Sequence, residues 1–462
     1  MKKALKRSLS LLLAITIIFS SAYVGLSEVD FSGLDLDGLF AVKAQAASES
    51  DLTFDVNGDG ESYSVTDCNT SASGELIIPS TYNGKSVTSI GYEAFCGCTS
   101  LTSITIPDSV TSIGGYAFSD CTSLTSITIP DSVTSIGYNV FSGCTGLTSV
   151  VLGNGVTSIS WETFDGCTSL TSVTLGNGVT SIDVYAFRNC TSLVSITIPD
   201  SVTSIDYEAF GNCTSLTSVT LGNGIKSMGY NAFGGCTSLE SVYITDVEVW
   251  CNTVFSNPWS NPLSYANNLY INGELATDVV IPNGITSIGD YTFYDCTSLT
   301  SITILDSMTY IGHSAFYGCT SLASVTFGNS VTSIGGKAFY NCMNLISITI
   351  PDSVISIDYE AFRNCTSLIS INITDSVTSI GDYAFDGCTS LLEIATSCNS
   401  FASTYFDESK LKLVHGELSD WIVDVNSTCT KNGSKHKECT NCGKIFETAV
   451  IPQLKPATPK LS

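Results

Sequence analysis

A 23-residue repeat is the feature of this sequence that most limits what the chain can fold into. Phenylalanine recurs at this interval in two runs, and a cysteine stands three residues after each phenylalanine. The phenylalanines are Phe95, Phe118, Phe141, Phe164, Phe187, Phe210, Phe233, Phe293, Phe316, Phe339, Phe362 and Phe385. The cysteines are Cys98, Cys121, Cys144, Cys167, Cys190, Cys213, Cys236, Cys296, Cys319, Cys342, Cys365 and Cys388. A fixed period of roughly 20 to 50 residues is typical of a solenoid, because one repeat cannot bury a core alone and must stack on its neighbours.

Within one repeat, the apolar spacing predicts two short extended pieces joined by turns. In Leu101–Asp120, Ile104 and the isoleucine two residues later alternate with hydroxyl residues, as in a half-buried strand. Pro107 ends this strand because its nitrogen has no hydrogen to donate to a neighbouring strand. Residues 110–113 form a second extended piece. Phe118 then packs inward from a short helical or irregular segment.

The repeat pattern L-x-x-I-x-I-P-x-x-V-x-x-I-G-x-x-A-F-x-x-C resembles the BspA-type leucine-rich repeat of bacterial surface proteins over Val87 to Ile394. The resemblance implies an α/β-type repeat solenoid that is mostly β. Short parallel strands stack in it, and short helical or irregular segments form the convex side. It also implies an exported, non-enzymatic protein with an adhesion or recognition role, at the cell surface or secreted.

Acidic residues dominate the charge and exclude several classes of partner. The net charge is −25, and residues 91–395 carry four Lys or Arg against 25 Asp or Glu, which gives −21. Nucleic acid, heparin-like polyanions and anionic membranes are therefore disfavoured as partners. The three histidines of the chain leave little scope for acid–base catalysis, and no nucleophile–base pair or phosphate-binding loop stands out. We therefore expect no enzymatic activity.

Residues 1–46 are predicted to be a secretory signal peptide. Lys2, Lys3 and Arg7 belong to a basic start, and residues 9–19 are an apolar core too short for a comfortable membrane span. Residues 44–46 (AQA) form a small-x-small cleavage site. No later run is long enough to cross a bilayer, so no membrane span is expected in the mature chain.

Residues 47–84 are predicted to cap the first end of the stack, because a solenoid end otherwise exposes its core. Turn-forming Asn-Gly and Asp-Gly pairs between alternating apolar residues favour a β-hairpin. The alternative is a calcium loop, since Asp55, Asn57, Asp59 and Gly60 match the start of the EF-hand pattern. Thr66 occupies the place of the bidentate glutamate, which weakens that alternative.

Residues 85–395 are predicted to form the solenoid, with an interruption at residues 249–280. Phe255 follows Phe233 by 22 residues, so the interruption is expected to begin as a degenerate coil. Leu269 to Ile271 with the following Asn-Gly pair predicts a hairpin. The segment is either a projecting recognition loop with Trp259 and Tyr265 at its tip or a bulge that repacks the core.

Residues 396–414 are predicted to cap the other end, and residues 415–462 to form a small Cys-rich module and tail. The module resembles a small Cys-rich repeat found after BspA-type domains. Its Cys-x-x-Cys-Gly spacing is that of a zinc knuckle, which makes structural zinc the only candidate cofactor of the chain. The candidate ligands are His415, Cys429, Cys439 and Cys442, with His436 as an alternative to His415. A disulfide with a free thiol, or unliganded reduced thiols, remain open.

The repeated cysteines predict a column of buried thiols. Adjacent coils bring equivalent residues to about 5 Å, close enough for disulfides, but identical environments give no reason for one pairing over another. A small apolar side chain with a weak donor fits this role. Cys68 and Cys96 lie outside the column and are expected to staple the N-terminal cap.

Aromatic residues cluster at the variable positions just before each repeat phenylalanine. They predict a stacked stripe that grips a host or microbial surface protein or glycan, with carbohydrate binding or a cell-wall-associated structural role as the alternative. A purely structural interpretation is that the rings cover the gaps between coils. The candidate residues are Tyr92, Tyr116, Tyr138, Trp161, Tyr185, Tyr207, Tyr230, Tyr291, Tyr359 and Tyr383.

Overall fold

In the computed structural model, which describes residues 47–414, 418–428 and 431–453, the repeats form a parallel β-solenoid of about 15 turns. The predicted signal peptide and the end of the tail lie outside the described residues. So do His415 and Cys429. Among the residues that are described, no helix has the length and apolar character needed to cross a membrane.

Each regular coil after the first contains a longer strand of three to five residues and a two-residue strand, which we call the long and the short strand. Strands up to the interruption are Leu52–Val56 (β1), Ser62–Cys68 (β2), Gly74–Ile77 (β3), Thr81–Tyr82 (β4), Lys85–Ile90 (β5), Leu101–Thr105 (β6), Ser112–Ile113 (β7), Ser126–Ile129 (β8), Ser135–Ile136 (β9), Ser149–Leu152 (β10), Ser158–Ile159 (β11), Ser172–Thr174 (β12), Ser181–Ile182 (β13), Ser195–Ile198 (β14), Ser204–Ile205 (β15), Ser218–Leu221 (β16), Ser227–Met228 (β17) and Ser241–Ile244 (β18).

The interruption and the second run continue this order. The interruption contains helix α1 (Val247–Asn252), β19 (Val254–Phe255), a 3-10 turn (Pro258–Ser260), helix α2 (Leu263–Ala266), β20 (Leu269–Ile271) and β21 (Glu274–Leu275). The second run contains Asp278–Val280 (β22), Ser287–Ile288 (β23), Ser301–Thr303 (β24), Tyr310–Ile311 (β25), Ser324–Thr326 (β26), Ser333–Ile334 (β27), Ser347–Thr349 (β28), Ser356–Ile357 (β29), Ser370–Asn372 (β30), Ser379–Ile380 (β31) and Glu393–Ser397 (β32).

Strands of neighbouring coils pair in parallel with a register of one repeat. Ser149 of β10 lies between Ser126 and Ser172, and Ile159 of the short strand β11 pairs with Ile182. Alternate residues of the long strands face inward, as the sequence predicted for residues 101–106. The segment that carries the phenylalanine is a series of turns without helix, so the irregular alternative of the prediction is confirmed there.

The core is built from columns of identical side chains. Successive phenylalanine rings stack nearly parallel, with centroids 5.3 Å apart between Phe118 and Phe141 and 5.2 Å apart between Phe293 and Phe316. Leucine, isoleucine, valine and cysteine columns surround them, almost all fully buried. A continuous core therefore runs along the stack, which explains why no single repeat needs a core of its own.

A β-hairpin closes the first end, as predicted. β1 and β2 pair antiparallel, and β2 then pairs in parallel with β5 of the first coil. The Asp59 carboxylate accepts from the backbone N–H groups of Glu61 and Ser62 and from the Ser62 hydroxyl. Asn57 bonds the hydroxyls of Ser62 and Thr88. These polar groups stabilise the turn of a hairpin, and the hairpin alternative is the one the structure supports.

The interruption repacks the core. Trp250, Leu263 and Leu269 are buried, and the Trp250 indole N–H donates to the carbonyl of Thr292 at 3.0 Å. The interruption begins as a degenerate coil, as expected, since β17 pairs with β19 and β18 with β20, but Phe255 does not continue the phenylalanine column. Phe255 pairs with Met228 in the short-strand position, because this coil holds four extra residues that shift its register.

The predicted hairpin at residues 269–275 is confirmed, since β20 and β21 pair antiparallel. Beyond it, β22 begins a new sheet with β24 and β26. The long-strand ladder breaks here, as it also does between β12 and β14 and between β26 and β28, while the hydrophobic core continues past the interruption.

The last elements cover the other end of the stack and form a small sheet. They are helix α3 (Phe401–Tyr405), a 3-10 turn (Glu408–Lys410), β33 (Leu411–Val414), β34 (Ile422–Val425), β35 (Gly433–Glu438) and β36 (Ile445–Ile451). Phe406 packs on Phe385, the last ring of the column, with centroids 5.2 Å apart. Strands β34, β35 and β36 form an antiparallel sheet.

Candidate recognition surface

The residues from the short strand to the repeat cysteine form the surface that varies most between repeats. We call this stretch the Phe segment; in one coil it is Gly114–Cys121. The N–H groups of Tyr116, Phe118 and Asp120 each donate to a carbonyl of the next coil, at 2.9, 2.9 and 2.8 Å. Backbone hydrogen bonds therefore join the turns of neighbouring coils, as they join neighbouring strands. The side chains of the Phe segments are carried on this regularly bonded backbone.

Left-handed backbone at two positions makes this bonding possible. In each Phe segment the residues two before and two after phenylalanine have φ between +45° and +79°. The residue two after is always Gly, Asn or Asp, the types that adopt this conformation most easily. The residue two before is never Gly: Glu93, Tyr116, Asn139, Glu162, Tyr185, Glu208, Asn231, Tyr291, Ser314, Lys337, Glu360 and Tyr383. A non-Gly residue in this left-handed conformation carries a backbone strain of about 1–2 kcal/mol that glycine would avoid.

The cysteine column lies directly beneath this surface and is a column of thiols, as predicted. The Cys121 Sγ donates to the carbonyl of Phe95 at 3.2 Å, and Cys144 repeats the bond to Phe118 at 3.0 Å. Burial raises the pKa of Cys167 and Cys319 well above the ordinary value. The expected staple between Cys68 and Cys96 is wrong. Both are free thiols, because Cys96 lies on the half-exposed surface whereas Cys68 is buried against Cys98.

The predicted aromatic residues of the first run form two rows on this surface. Neighbouring ring centroids are 5.3 to 6.3 Å apart, mostly edge to face. Tyr92 is 55% exposed and Trp161 45%. The first row is Tyr92, Tyr116, Tyr138 and Trp161, and the second is Tyr185, Tyr207 and Tyr230.

The rings also cover gaps between coils. A Cβ on Gly115 would lie 3.3 Å from the ring of Tyr138, and one on Gly336 would lie 2.5 Å from that of Tyr359. Glycine at these positions lets the ring lie on the backbone of the preceding coil. A ring that covers such a gap is still accessible to a partner, since Tyr138 keeps 44% of its surface exposed.

The second run carries a row with fewer of the predicted rings. It also carries another row of tyrosines, which the sequence analysis did not predict. Tyr291 and Tyr359 both contact His313, and Tyr383 is 63% exposed. Three further tyrosines directly follow their phenylalanines and stack face to face, with centroids 4.6 and 4.8 Å apart. They are Tyr294, Tyr317 and Tyr340. Their recurrence in three successive repeats was the available sequence signal.

The cations of this surface are paired with carboxylates of the same surface. Arg188 bonds Asp165 at 2.9 Å and lies 3.9 Å over the ring of Tyr185. Glu360 bonds both Lys337 and Arg363. Hydrogen bonding to Glu93 raises the pKa of Tyr92 to about 12. The described part of this face therefore presents neutral rings beside carboxylates and beside cations that are paired with carboxylates.

The threonines of the long-strand side engage their own backbone. The Thr125 hydroxyl donates to the carbonyl of Thr102 at 3.1 Å, and Thr148 and Thr171 repeat the bond one coil further each time. The hydroxyls of this threonine column thus bond the backbone of the preceding coil along the stack. The Phe segments differ from it in carrying aromatic and charged side chains that change from repeat to repeat.

Trp259 and Tyr265 lie in the repacked interruption. The Tyr265 hydroxyl accepts from the N–H of Gly235 at 3.0 Å and its ring is packed against the core. Trp259 is 48% exposed, and its carbonyl accepts from the N–H of Phe233. Trp259 continues the Phe-segment surface past the first run, whereas Tyr265 is tied to the core.

Of the predicted metal ligands, Cys439 and Cys442 come together with Cys398, a residue that the sequence interpretation did not include. The three sulfurs lie within 4.8 Å of one another. His415 and Cys429 lie outside the described residues. The alternative ligand His436 faces Asp424 and Glu438 instead. Cys398 stands far from the Cys-x-x-Cys pair in sequence, and only the fold shows the association.

Comparison with known proteins agrees with this architecture. The family model for the BspA type leucine rich repeat region matches in six copies over residues 70–193, 144–261 and 264–392. No functionally curated protein matches the chain.

Solved structures with similar chains include two bacterial repeat proteins and one antigen. A leucine rich cell surface protein from Faecalibacterium prausnitzii is 30% identical, with a TM-score of 0.42, and the match covers 79% of this chain and 97% of that one. A leucine-rich repeat protein from Bacteroides ovatus is 29% identical, with a TM-score of 0.48 and coverages of 79% and 98%. The pneumococcal vaccine antigen PcpA is 18% identical, with a TM-score of 0.39 and coverages of 79% and 96%. Since the family model spans most of the sequence, the chain belongs to the BspA-type leucine-rich repeat family.

Proposed function

We propose that this protein is an exported, non-enzymatic adhesion or recognition protein that binds a host or microbial surface protein through its Phe segments. The observation that carries the proposal is the rows of exposed rings, carried on a backbone whose turns are hydrogen-bonded from coil to coil. Tyrosine, tryptophan and arginine supply most of the binding energy in protein interfaces. All three types are concentrated on this face.

The packing of the rings favours protein over sugar as the partner. In the first run each ring contacts its neighbour edge to face or at a tilt, except Tyr207 and Tyr230. Part of each ring face is therefore covered by the next ring. A sugar stacks on an open ring face, whereas side chains of a protein fit between rings. Glycan binding is the alternative function, and the exposed ring of Tyr383 is the observation that favours it.

Export to the cell surface is part of the proposal. It is supported by the resemblance of residues 1–46 to a secretory signal and by the bacterial surface proteins of the family. Leucine-rich repeat proteins generally act without catalysis, which supports a binding role. An ion in the C-terminal module is expected to be structural, as the sequence interpretation proposed.

The test is a binding screen of the full chain against arrays of extracellular-matrix proteins and glycans. The variant carries Ala at Tyr92, Tyr138, Trp161 and Tyr230, which all precede phenylalanine by three residues and avoid the left-handed position. A matched control carries Ser at Val151, Val194 and Ile369, which are equally exposed but lie outside the Phe segments.

We expect saturable binding to a protein, and a loss of affinity of at least about 10-fold in the ring variant only, because hot-spot truncation removes roughly 2 kcal/mol or more. Binding confined to glycans would establish the alternative. An equal loss in both variants, or no binding on either array, would contradict the assignment of the Phe segments as the recognition surface.

A further inference from the structure

Three cysteine sulfurs meet where the last coil of the solenoid contacts the C-terminal module. Cys398 follows strand β32, the last long strand of the stack, whereas Cys439 and Cys442 belong to the turn between β35 and β36. The Sγ atoms of Cys398 and Cys439 are 3.6 Å apart, and all three lie within 4.8 Å. Cys439 is buried, Cys398 half-buried and Cys442 exposed.

These distances fit a shared metal ion. Zinc binds thiolate at about 2.3 Å in a tetrahedron, so two sulfurs on one ion lie about 3.8 Å apart. A disulfide needs about 2.05 Å, well below the 3.6 Å between Cys398 and Cys439. Three sulfur donors are also the chemistry that zinc prefers over hard cations such as calcium.

The turn around Cys439 is already folded as a metal-binding knuckle. The N–H of Gly443 donates to the Cys439 carbonyl at 2.9 Å, and Gly443 has φ +73°. The N–H of Asn441 donates to the Cys439 sulfur at 3.4 Å. These bonds fix the direction in which the buried Cys439 sulfur faces the other two sulfurs.

The partner strand of the site is held in place independently of any ion. The side-chain amide of Asn399 donates to the carbonyl of Asn441, next to the cysteine turn. The Ser403 hydroxyl donates to the carbonyl of Cys398 from helix α3. Both sides of the sulfur cluster are thus positioned by hydrogen bonds, so an ion would bind without rearranging them.

We propose that Cys398, Cys439 and Cys442 hold one zinc ion that fastens the C-terminal module to the end of the solenoid. Cys398 comes from the stack and the other two from the module. An ion bound to all three therefore crosslinks two parts of the chain. The role is structural, and it is independent of the recognition proposed for the Phe segments.

The test uses the full chain, reduced, freed of metal and then given Zn²⁺ alone. Alkylation by iodoacetamide is followed at each cysteine by peptide mass spectrometry. We expect zinc to slow alkylation of Cys398, Cys439 and Cys442 together by at least about 10-fold, since a bound thiolate is withheld from the reagent. Cys96, half-buried at the far end of the stack, is the internal control and should react at the same rate with or without zinc.

The variant Cys398→Ser separates a crosslink from a site confined to the module, and Cys96→Ser is its matched control. With Co²⁺ as a spectroscopic probe, Cys398→Ser should lose about one third of the thiolate-to-cobalt charge-transfer absorption, because one of three sulfurs is gone. It should also lose the zinc-dependent protection against trypsin at Lys410, which ends the turn before β33.

Three results would overturn the proposal. Unchanged alkylation of Cys398 while the other two are protected would place the ion in the module alone. A Cys398–Cys439 disulfide that zinc does not prevent would make this a redox pair. Equal alkylation of all three with and without zinc would show that no ion binds. None of these results would affect the partner screen of the Phe segments, because that screen measures binding on arrays and not metal binding.

Discussion

At the residue scale, the most informative position is the one two residues before each repeat phenylalanine. Its backbone is left-handed in every Phe segment, and glycine never occupies it. Glycine would remove the strain but also the rings and charges that face outward. Strain that persists through a whole array of repeats indicates that the side chains have a use, and this is consistent with a binding surface.

The backbone strain predicts that a glycine variant at this position is more stable than an alanine variant. Glu93 is exposed and has φ +58°, so Glu93→Gly should be more stable than Glu93→Ala by about 1 kcal/mol. Both variants lose the same carboxylate, so urea unfolding of the pair isolates the backbone. The same pair at exposed Thr99, whose backbone is not left-handed, is the control and should favour alanine or show no difference. Equal stability of Glu93→Ala and Glu93→Gly would contradict the backbone strain.

A pH-dependent prediction concerns Asp295, which lies two residues after Phe293. Burial raises the pKa of its carboxyl from 3.8 to about 6. The folded state thus holds the proton more tightly than the unfolded chain. Its ionisation therefore removes stability as pH rises through this interval, and the loss is complete above it.

Asp295→Asn should raise the melting temperature at pH 7.5 and have a much smaller effect near pH 3.5, where Asp295 is protonated in the folded state and mostly protonated in the unfolded chain. Asparagine suits the left-handed backbone here and stands at the equivalent position as Asn341 and Asn364. Thermal unfolding across this pH range measures the difference. The exposed Asp108→Asn is the control, and a benefit that is equal at both pH values would contradict the assignment.

At the element scale, the interruption shows how a solenoid absorbs an irregular coil. Four extra residues shift Phe255 into the short-strand column, and helix α1 fills the space beside it. Trp250 lies 5.0 Å from Phe255 between centroids and replaces part of the missing ring column. The segment therefore preserves the core while it breaks the long-strand sheet.

Two tryptophans of this segment provide a matched pair. Trp250→Ala should destabilise the protein by about 3–5 kcal/mol, because it leaves a cavity and removes the donor to the Thr292 carbonyl. Trp259→Ala should cost only about 0.5 kcal/mol, since half of that ring is exposed. Urea unfolding of both variants checks the contrast. Similar losses would mean that the two rings are equally buried in solution.

The elements differ in how far the sequence could predict them. The 23-residue spacing was sufficient for the strands, the inward columns and the thiols, because identical residues at a fixed period can only stack. It failed at Phe255, where counting from Phe233 ignored an insertion that only pairing reveals. It also missed the position of Cys398 beside Cys439 and Cys442, since no local motif marks a cysteine that comes from the neighbouring part of the fold.

At the scale of the whole molecule, the buried thiols should behave as one protected set. The column cysteines are almost fully buried, and burial raises the pKa of those in its middle. In the native protein they should resist alkylation, and all should react once denaturant unfolds the stack. Half-exposed Cys96 is the native-state control. Coil-to-coil disulfides in protein isolated without reductant would contradict the thiol column.

The bond from each thiol to the phenylalanine of the preceding coil has a consequence for the length of such proteins. Within each of the two runs, every coil after the first donates its thiol to the phenylalanine carbonyl of the coil before it, and offers the same acceptor to the coil after it. A whole coil gained or lost by recombination between near-identical repeats therefore leaves all junctions intact. Each event would change the reach of the molecule by about 4.8 Å. Selection can thus tune the span of the surface in fixed steps while the two capped ends stay the same.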